Sequence, residues 1–503
     1  MKKRLLALSM AMIMAAGSLA GCTNGSEPAA PADPTTAADP TPTNAPVEVE
    51  VEEGVTESEA GEDLSVYLNG GKVATKVDDG TPGTNAKMAV PDTKGWDESK
   101  KIYAYSWNDE FGGRLQYVLD EYPQLKDYVE YVNLGCSGTD GTYQQGINAA
   151  IADGSKYPSL IAMDNDVAKF YTEAPDSEDY ATLNLDDLGV TPDMYVNAYK
   201  YTIDYATHDG HLKALTWQAT PGCVVYRSDI AQSVLGVSEP ADVQEYLKDW
   251  PTFFETAQKM KDAGYHMVSG NDEIKYAVWD SQAQPWVTIG SDGSETLSLD
   301  YAVNQYFGLS KMLSNGGYSN SANMWSDGWN AGYEGDVFCY FGCTWSLYWC
   351  MQFNESGDTT KGQWRTTTGP TGYHWGGSYV AILKDCPNTE LAAFLAVALC
   401  TDDDIMYKIS ADTFDYVNNK AAMAKILADG KGASDITGTQ NPVETWIESA
   451  CYIDLSNSSY LDSEIKAAID KAAEAYWAGT IATVDDAVAQ VESDIRAKYS
   501  YLK

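Results

Sequence analysis

From Lys101 to Tyr171, strand-like and helix-like patterns alternate, and this alternation constrains the fold more than any other feature. "KIYAYSW" alternates and is aromatic, which predicts a strand. In "DEFGGRLQYVLDEYP", Phe111, Leu115, Val118 and Leu119 fall at helical spacing, and the run stops before Pro123. "YVEYVNL" reads as a second strand. "TDGTYQQGINAAIADG" reads as a helix capped near Thr139 or Asp140 and closed by Gly154. "YPSLIAMD" is a third strand and "NDVAKFY" a short helix. This βαβαβ order predicts a parallel sheet covered by helices. Ligands of such sheets sit beyond the carboxyl ends of the strands. The residues there are Trp107, Asn108 and Asp109 after the first strand, and Asp164 and Asn165 after the third.

Further on, "PDMYVNAYKYTIDYA" predicts a helix and "HDGHLKALTW" a hairpin turning at Asp209-Gly210. "TWQATPG" then lies between structured runs like a hinge, leading into the strand "CVVYR". A mostly helical stretch follows, up to the aromatic run "WNAGYEGDVFCYFGCTWSLYWCMQF" at residues 329–353. There "VFCYF" is expected as a strand and "CTWSLYWCMQ" as the start of a helix. "WRTTTGP" and "SYVAILK" add strands, and the tail is helical, with Thr483 and Asp486 resembling a capping box. No internal repeat is visible. About 400 residues exceed one ordinary core, so two lobes are expected.

The amino end addresses the chain to export. Lys2, Lys3 and Arg4 precede the short apolar run "LLALSMAMIMAAGSLA", the pattern of a secretory signal. "LAGC" resembles a lipobox, which implies cleavage before Cys22 and a diacylglycerol on its thiol, enough for stable anchoring. The Pro-, Ala-, Thr- and acid-rich segment that follows has almost nothing to bury and is expected to be an extended leash. Residues 64–97 are turn-rich and transitional. A net charge of −40 argues against nucleic acid and against anionic lipid surfaces. Eight cysteines follow Cys22, several in apolar runs such as "LAVALC", which favours buried reduced thiols over a disulfide framework.

Four histidines leave most triads without a base. No zinc-binding His-Glu-x-x-His, phosphate loop or Gly-x-Ser-x-Gly elbow occurs. His208 and His211 read as turn residues, and Cys339, Cys343 and Cys350 lack zinc spacing. "TDDDIM" reads as acids at a helix start more than as a calcium loop. No cofactor and no metal is expected. Carboxylates are too abundant for any one pair to mark a glycosidase. The aromatic load is informative: 14 Trp and 34 Tyr stand against 10 Phe. Trp and Tyr suit surfaces that are half apolar and half wet. Trp107, Trp217, Trp279, Trp286, Trp345 and Trp375 lie at strand ends or in loops, where an indole face matches the flat C–H face of a pyranose.

Several segments in sequence resemble family 1 extracellular solute-binding proteins: "GTYQQGINAAIADGSKYPSLIAMD", "DGHLKALTWQATPGCVVYRSDI", "YEGDVFCYFGCTW", "GGSYVAILKDCPNTELAAFLAVALCTDDD" and "AGTIATVDDAVAQVESDI". Together they span residues 101 to about 500. The resemblance implies an α/β, two-lobed periplasmic-binding-protein-like fold with hinge crossovers and a ligand cleft between lobes. It further implies no catalysis, an oligosaccharide ligand, delivery to the permease of an ABC importer, and a monomer held at the outer face of the cell membrane by its lipid alone. The implied organisation is 1–21 signal, 22–97 linker and transitional segment, 98–218 plus 335–384 first lobe, and 222–334 plus 385–503 second lobe. By position the cleft is lined by Trp107, Asn108, Asp109, Asp164, Asn165, Trp217 and Gln218, with Trp279 and Trp286 from the second lobe and Thr344, Trp345 and Trp375 from the segments re-entering the first. The hinge spans Gln218–Gly222. It carries "ATPG" where maltodextrin binders have an acid, a departure that counts against maltodextrin. The alternatives left open are a receptor for peptides or other polar solutes and a cell-surface glycoside hydrolase.

Overall fold

In the computed structural model, which describes residues 62–503 apart from Val73, Phe353 and Asn354, the expected βαβαβ unit is present. Its elements are β1 (Ile102–Ser106), α1 (Glu110–Glu121), β2 (Val129–Asn133), α2 (Thr142–Asp153), β3 (Pro158–Asp164) and α3 (Asn165–Thr172). β1 lies parallel to both β2 and β3, and β3, with six of its seven residues buried, is the central strand. Helix α4 (Lys200–Ala206) is shorter than the helix expected there. The hairpin forms as expected, with His208 opposite His211 and Asp209 at φ 50°. Two later strands complete the sheet, β4 (Leu215–Thr216) and β8 (Ser378–Ile382), in the order β2-β1-β3-β8-β4. Ser378 pairs with Asp164, and Tyr379 with Thr216. The carboxyl ends of β3 and β4 therefore meet at the start of β8.

The second sheet has three strands, β5 (Gly222–Arg227), β6 (Cys339–Cys343) and β7 (Trp364–Thr367), in the order β6-β5-β7. Cys343 pairs with Gly222, and Cys339 with Tyr226. This corrects the boundaries expected from sequence. Residues 335–384 do not all belong with 98–218, because β6 pairs along its whole length with β5. A strand buried at all five positions needs partners for every backbone group, and β5 supplies them. Residues 385–503 do not all belong with 222–334 either. α8 (Thr389–Thr401) packs against β8 and α1, and α9 (Asp403–Thr413) against α1. α8 is apolar on all sides, and such a helix must be covered all round. Beyond it, α10 (Lys420–Ala428) leads to α11 (Val443–Ala450), which packs on β5.

Around the second sheet lie α5 (Ser228–Leu235) and α6 (Trp250–Asp262), while α7 (Tyr301–Gly316) packs with the closing pair α12 (Asp462–Trp477) and α13 (Val484–Lys498). Thr483 caps α13, accepting from Asp486 N at 3.1 Å while its hydroxyl donates to the Asp486 carboxylate at 2.8 Å. The segment after β6 forms a π-helical turn, Ser346–Gln352. The turn-rich, transitional residues 64–97 are part of the folded body. Cys22 with the signal and the acidic segment lies outside the described residues. Among the described residues no helix is long and apolar enough to cross a membrane.

Candidate functional site

The sheets are joined by adjacent crossings. Trp217–Pro221 runs from β4 into β5, and Thr368–Gly377 returns from β7 to β8. They touch through a Pro221–His374 bridge, and Thr220 Oγ1 donates to Gly376 O at 2.9 Å. The expected Gln218–Gly222 hinge is thus a real passage between sheets. Thr220 holds φ at 44°, a conformation rare for a β-branched residue.

One wall of the junction comes from the first sheet. Asn108 Oδ1 accepts from Glu110 N at 2.9 Å, and Asp109 accepts from Asn133 Nδ2 at 2.7 Å. Gln218 Nε2 donates to Glu110 Oε1 at 2.9 Å, while Arg114 Nε donates to Asp415 at 2.7 Å. Burial, then nearby Asp415, pushes the Glu110 carboxyl up to about 7 against the pull of Arg114. Asp164 accepts from Asp166 N at 2.9 Å, capping α3. Burial, then Asp166 and Glu110, raises it also to about 7. Near neutrality these two carboxyls can both accept and donate hydrogen bonds. Buried Asn165 Oδ1 and Trp217 Nε1 have no hydrogen-bond partner.

The facing wall is aromatic. Trp375 stacks on Tyr276, with centroids 4.7 Å apart and planes at 25°. Trp345 meets Trp375 edge-on at 4.7 Å and donates its indole N–H to Trp375 O at 2.9 Å. Trp325 lies parallel to Trp345 at 5.9 Å and is 51% exposed. Burial raises the Tyr276 hydroxyl well above its ordinary pKa, and Asp166, Asp470 and Asp164 add to it. Nearby, α12 reaches α3 where the Ser463 hydroxyl donates to Asp166 O at 2.6 Å.

Of the residues expected at the cleft, Trp345 and Trp375 form the aromatic cluster, and Asp164, Asn165 and Gln218 lie beside the crossings, while Trp107, Asn108 and Asp109 follow β1, where Trp107 meets Tyr143 edge-on at 5.6 Å. The others are set back. Trp217 is fully buried and stacks on Phe111 at 5.7 Å, beneath the first wall. Thr344 is 2% exposed at the end of β6. Trp279 packs behind Tyr276, edge-on to it and to Tyr306. Trp286 is a correction: fully buried, with its indole N–H donated to Asp300 at 2.9 Å, it belongs to the core beside α7. A polar tip satisfied inside the core leaves nothing for a ligand.

Sequence reasoning missed Glu110, Tyr276 and Trp325. Trp325 sits in the turn-rich "SANMWSDG", and an indole in so polar a loop was the available signal. The loop is held by Met324 N, which donates to both Asp272 oxygens at 3.2 Å. Trp325 adopts φ 70°, a strained backbone of the kind that clusters at ligand sites. The "TDDDIM" acids have structural partners: Asp402 caps α9 and Asp403 accepts from Asn85, Asn197 and Asn419. His211 pairs with Asp186 at 2.7 Å.

Two α/β halves linked by paired crossings, with carboxyls and indoles beside those crossings, have the architecture of a two-lobed solute-binding fold. The family model for bacterial extracellular solute-binding proteins matches residues 131–426, and the chain belongs to that family. No curated protein matches it. Among solved structures, an extracellular solute-binding protein of family 1 is 18% identical with a TM-score of 0.67, the match covering 80% of this chain and 99% of that one. The ABC transporter associated binding protein from B. animalis subsp. lactis Bl-04, in complex with beta-1,6-galactobiose, is 19% identical with a TM-score of 0.55, covering 80% and 98%. The galacto-N-biose-/lacto-N-biose I-binding protein of the ABC transporter from Bifidobacterium longum is 13% identical with a TM-score of 0.57, covering 80% and 97%. At these identities the likeness is one of fold.

Proposed function

We propose that this protein is a lipid-anchored receptor that captures oligosaccharides outside the cell and delivers them to an ABC importer, without catalysing a reaction on them. The observation that supports this reading is the cluster of Trp325, Trp345 and Trp375 beside the second crossing, whose Gly377 carbonyl accepts from Asn165 N at 2.9 Å, next to Asp164. Indole faces cover the apolar faces of sugar rings, while the carboxyls, Asn165 and Gln218 bond the hydroxyl rim. Closure about Gln218–Gly222 excludes water and strengthens those bonds. Anchoring rests on Cys22 in "LAGC".

Calorimetry with α- and β-linked di- to hexasaccharides tests the ligand class. The expected result is sugar binding. No sugar binding at millimolar concentration, with clear binding of a peptide panel, overturns it. Reducing-sugar release from polysaccharide tests the hydrolase alternative, and no release is expected. Detergent partitioning of the expressed protein, lost on Cys22→Ala, tests the anchor.

A further inference from the structure

We infer that residues 64–72 and 74–87 form a strap that acts as an additional connection between the lobes and restrains movement at the hinge. The strap is pinned to the second lobe first. The 3₁₀ turn Leu64–Leu68 lies on α7, where Tyr301 OH donates to Asn69 O at 2.9 Å and Gln305 Nε2 to Tyr67 O at 3.1 Å. Tyr67 covers Gly308 so closely that a Cβ there would stand 2.2 Å from its ring. Lys72 then pairs with Asp454 at 2.7 Å.

At the crossings the strap changes lobes within two residues. Val77 N donates to Cys451 O at 2.9 Å, just after α11 of the second lobe. Asp78 accepts from Lys200 N at 2.9 Å, at the start of α4 of the first lobe, and pairs with Lys420 at 2.8 Å. Both partners of that ion pair are largely buried, so each side chain depends on the other. Beyond it the first lobe takes hold. Asn197 Oδ1 accepts from Gly83 N at 2.7 Å, Asn85 Nδ2 donates to Thr401 O at 2.7 Å, and Lys87 pairs with Asp402 at 2.7 Å.

Between these anchors the strap is not packed flush on the crossing that returns from β7. Leu68–Lys72 and Ala74 line a cavity of about 440 Å³ whose other side includes the crossing residues Thr368–Gly372. A segment serving only as core packing has no use for such a gap. A segment bridging a moving crossing needs it. The strap joins the lobes through side-chain and backbone bonds, while the crossings below keep room to shift.

Hydrogen exchange on the full mature chain tests this. Asp78→Asn with Lys420→Gln unpins the crossing point without leaving a lone buried charge. Asn85→Ala is the milder variant should the double one fold poorly. In either variant, amides of the crossings such as Gly222 and Trp375 are expected to exchange about tenfold faster, with amides of β3 unchanged. Unchanged crossing amides, or crossing and β3 amides accelerated alike, overturn the proposal, because the strap then adds only general stability. The readout needs no ligand, so its failure is separate from any failure of the oligosaccharide reading.

Discussion

Replacing Trp325 by glycine is expected to separate binding from stability. Trp325 exposes 51% of its surface beside Trp345 and Trp375. A Trp side chain offers about 150–250 Å², so about 100 Å² of indole is open to a ligand. At about 25 cal/mol per Å², and with a flat ring covering most of one face, that surface contributes about 1.5–2.5 kcal/mol, or roughly 10- to 60-fold in Kd. Folding has the opposite interest. A φ of 70° costs a bulky residue about 1–2 kcal/mol, which glycine does not incur. Against that gain stand the ring contacts with Trp329, Trp345 and Trp375 at 5.5, 5.9 and 5.6 Å. Trp325→Gly should therefore bind the recognised sugar roughly 10- to 60-fold more weakly while unfolding in urea near the wild-type midpoint. Trp325→Ala should lose the same affinity and be less stable than the glycine variant by about 1 kcal/mol, since it keeps the strain without the contacts. Calorimetry and urea titration of both variants read these quantities. Unchanged affinity refutes the assignment of Trp325 to the ligand face, and an alanine variant more stable than glycine refutes the strain argument.

Stability should fall as pH rises. Burial pushes Glu110 and Asp164 up to about 7 and Glu273 up to about 8, so the folded chain holds these protons more tightly than the unfolded one. Their contribution is full below the ordinary carboxylate range and is lost as pH rises through 7–8. Thermal unfolding should give a higher midpoint at pH 5.5 than at pH 8.5, with the difference narrowed by Glu110→Gln, and a flat profile would contradict it. Gly222→Ala should cost about 2–3 kcal/mol by urea unfolding, because its Cβ would stand 2.2 Å from the Tyr373 ring, whose hydroxyl donates to Cys223 O and Gly342 O. Of the eight thiols from Cys136 to Cys451, none is disulfide-bonded and only Cys136 and Cys350 are partly exposed. A thiol reagent should label those two in the native protein and all eight in denaturant, with no change in unfolding midpoint on adding reductant.

The βαβαβ unit was legible because its signals are local: apolar spacing, Pro123, Gly154 and the turn at Asp209-Gly210. Lobe membership was not legible, because it depends on pairing between strands far apart in sequence. "VFCYF" reads as a strand from its own residues, but nothing within it selects β5 over β3 as a neighbour. The return of α8 to the first sheet had a local hint. A helix apolar on every face must be enclosed, and the helix-covered parallel sheet was the largest available enclosure. The strap was unreadable for a different reason. Polar, turn-rich residues such as Asp78 and Asn85 look solvated until their partners at Lys200, Lys420 and Thr401 are known.

The site was legible by strand end and obscure by residue type. The carboxyl end of β3 placed Asp164 beside the crossings, since topology fixes where a parallel sheet opens. Choosing among tryptophans by loop position alone worked less well. Trp286 and Trp325 both lie in polar, turn-rich surroundings, and only the first is sealed. The difference rests on one partner: Asp300, fourteen residues after Trp286, accepts its indole N–H and lets the ring sink. Trp325 has a backbone held by Asp272 through Met324, a left-handed φ, and neighbouring rings on one side only. Strain is tolerated there because the surrounding loop over-determines it, and the consequence is an indole face turned outward at the junction.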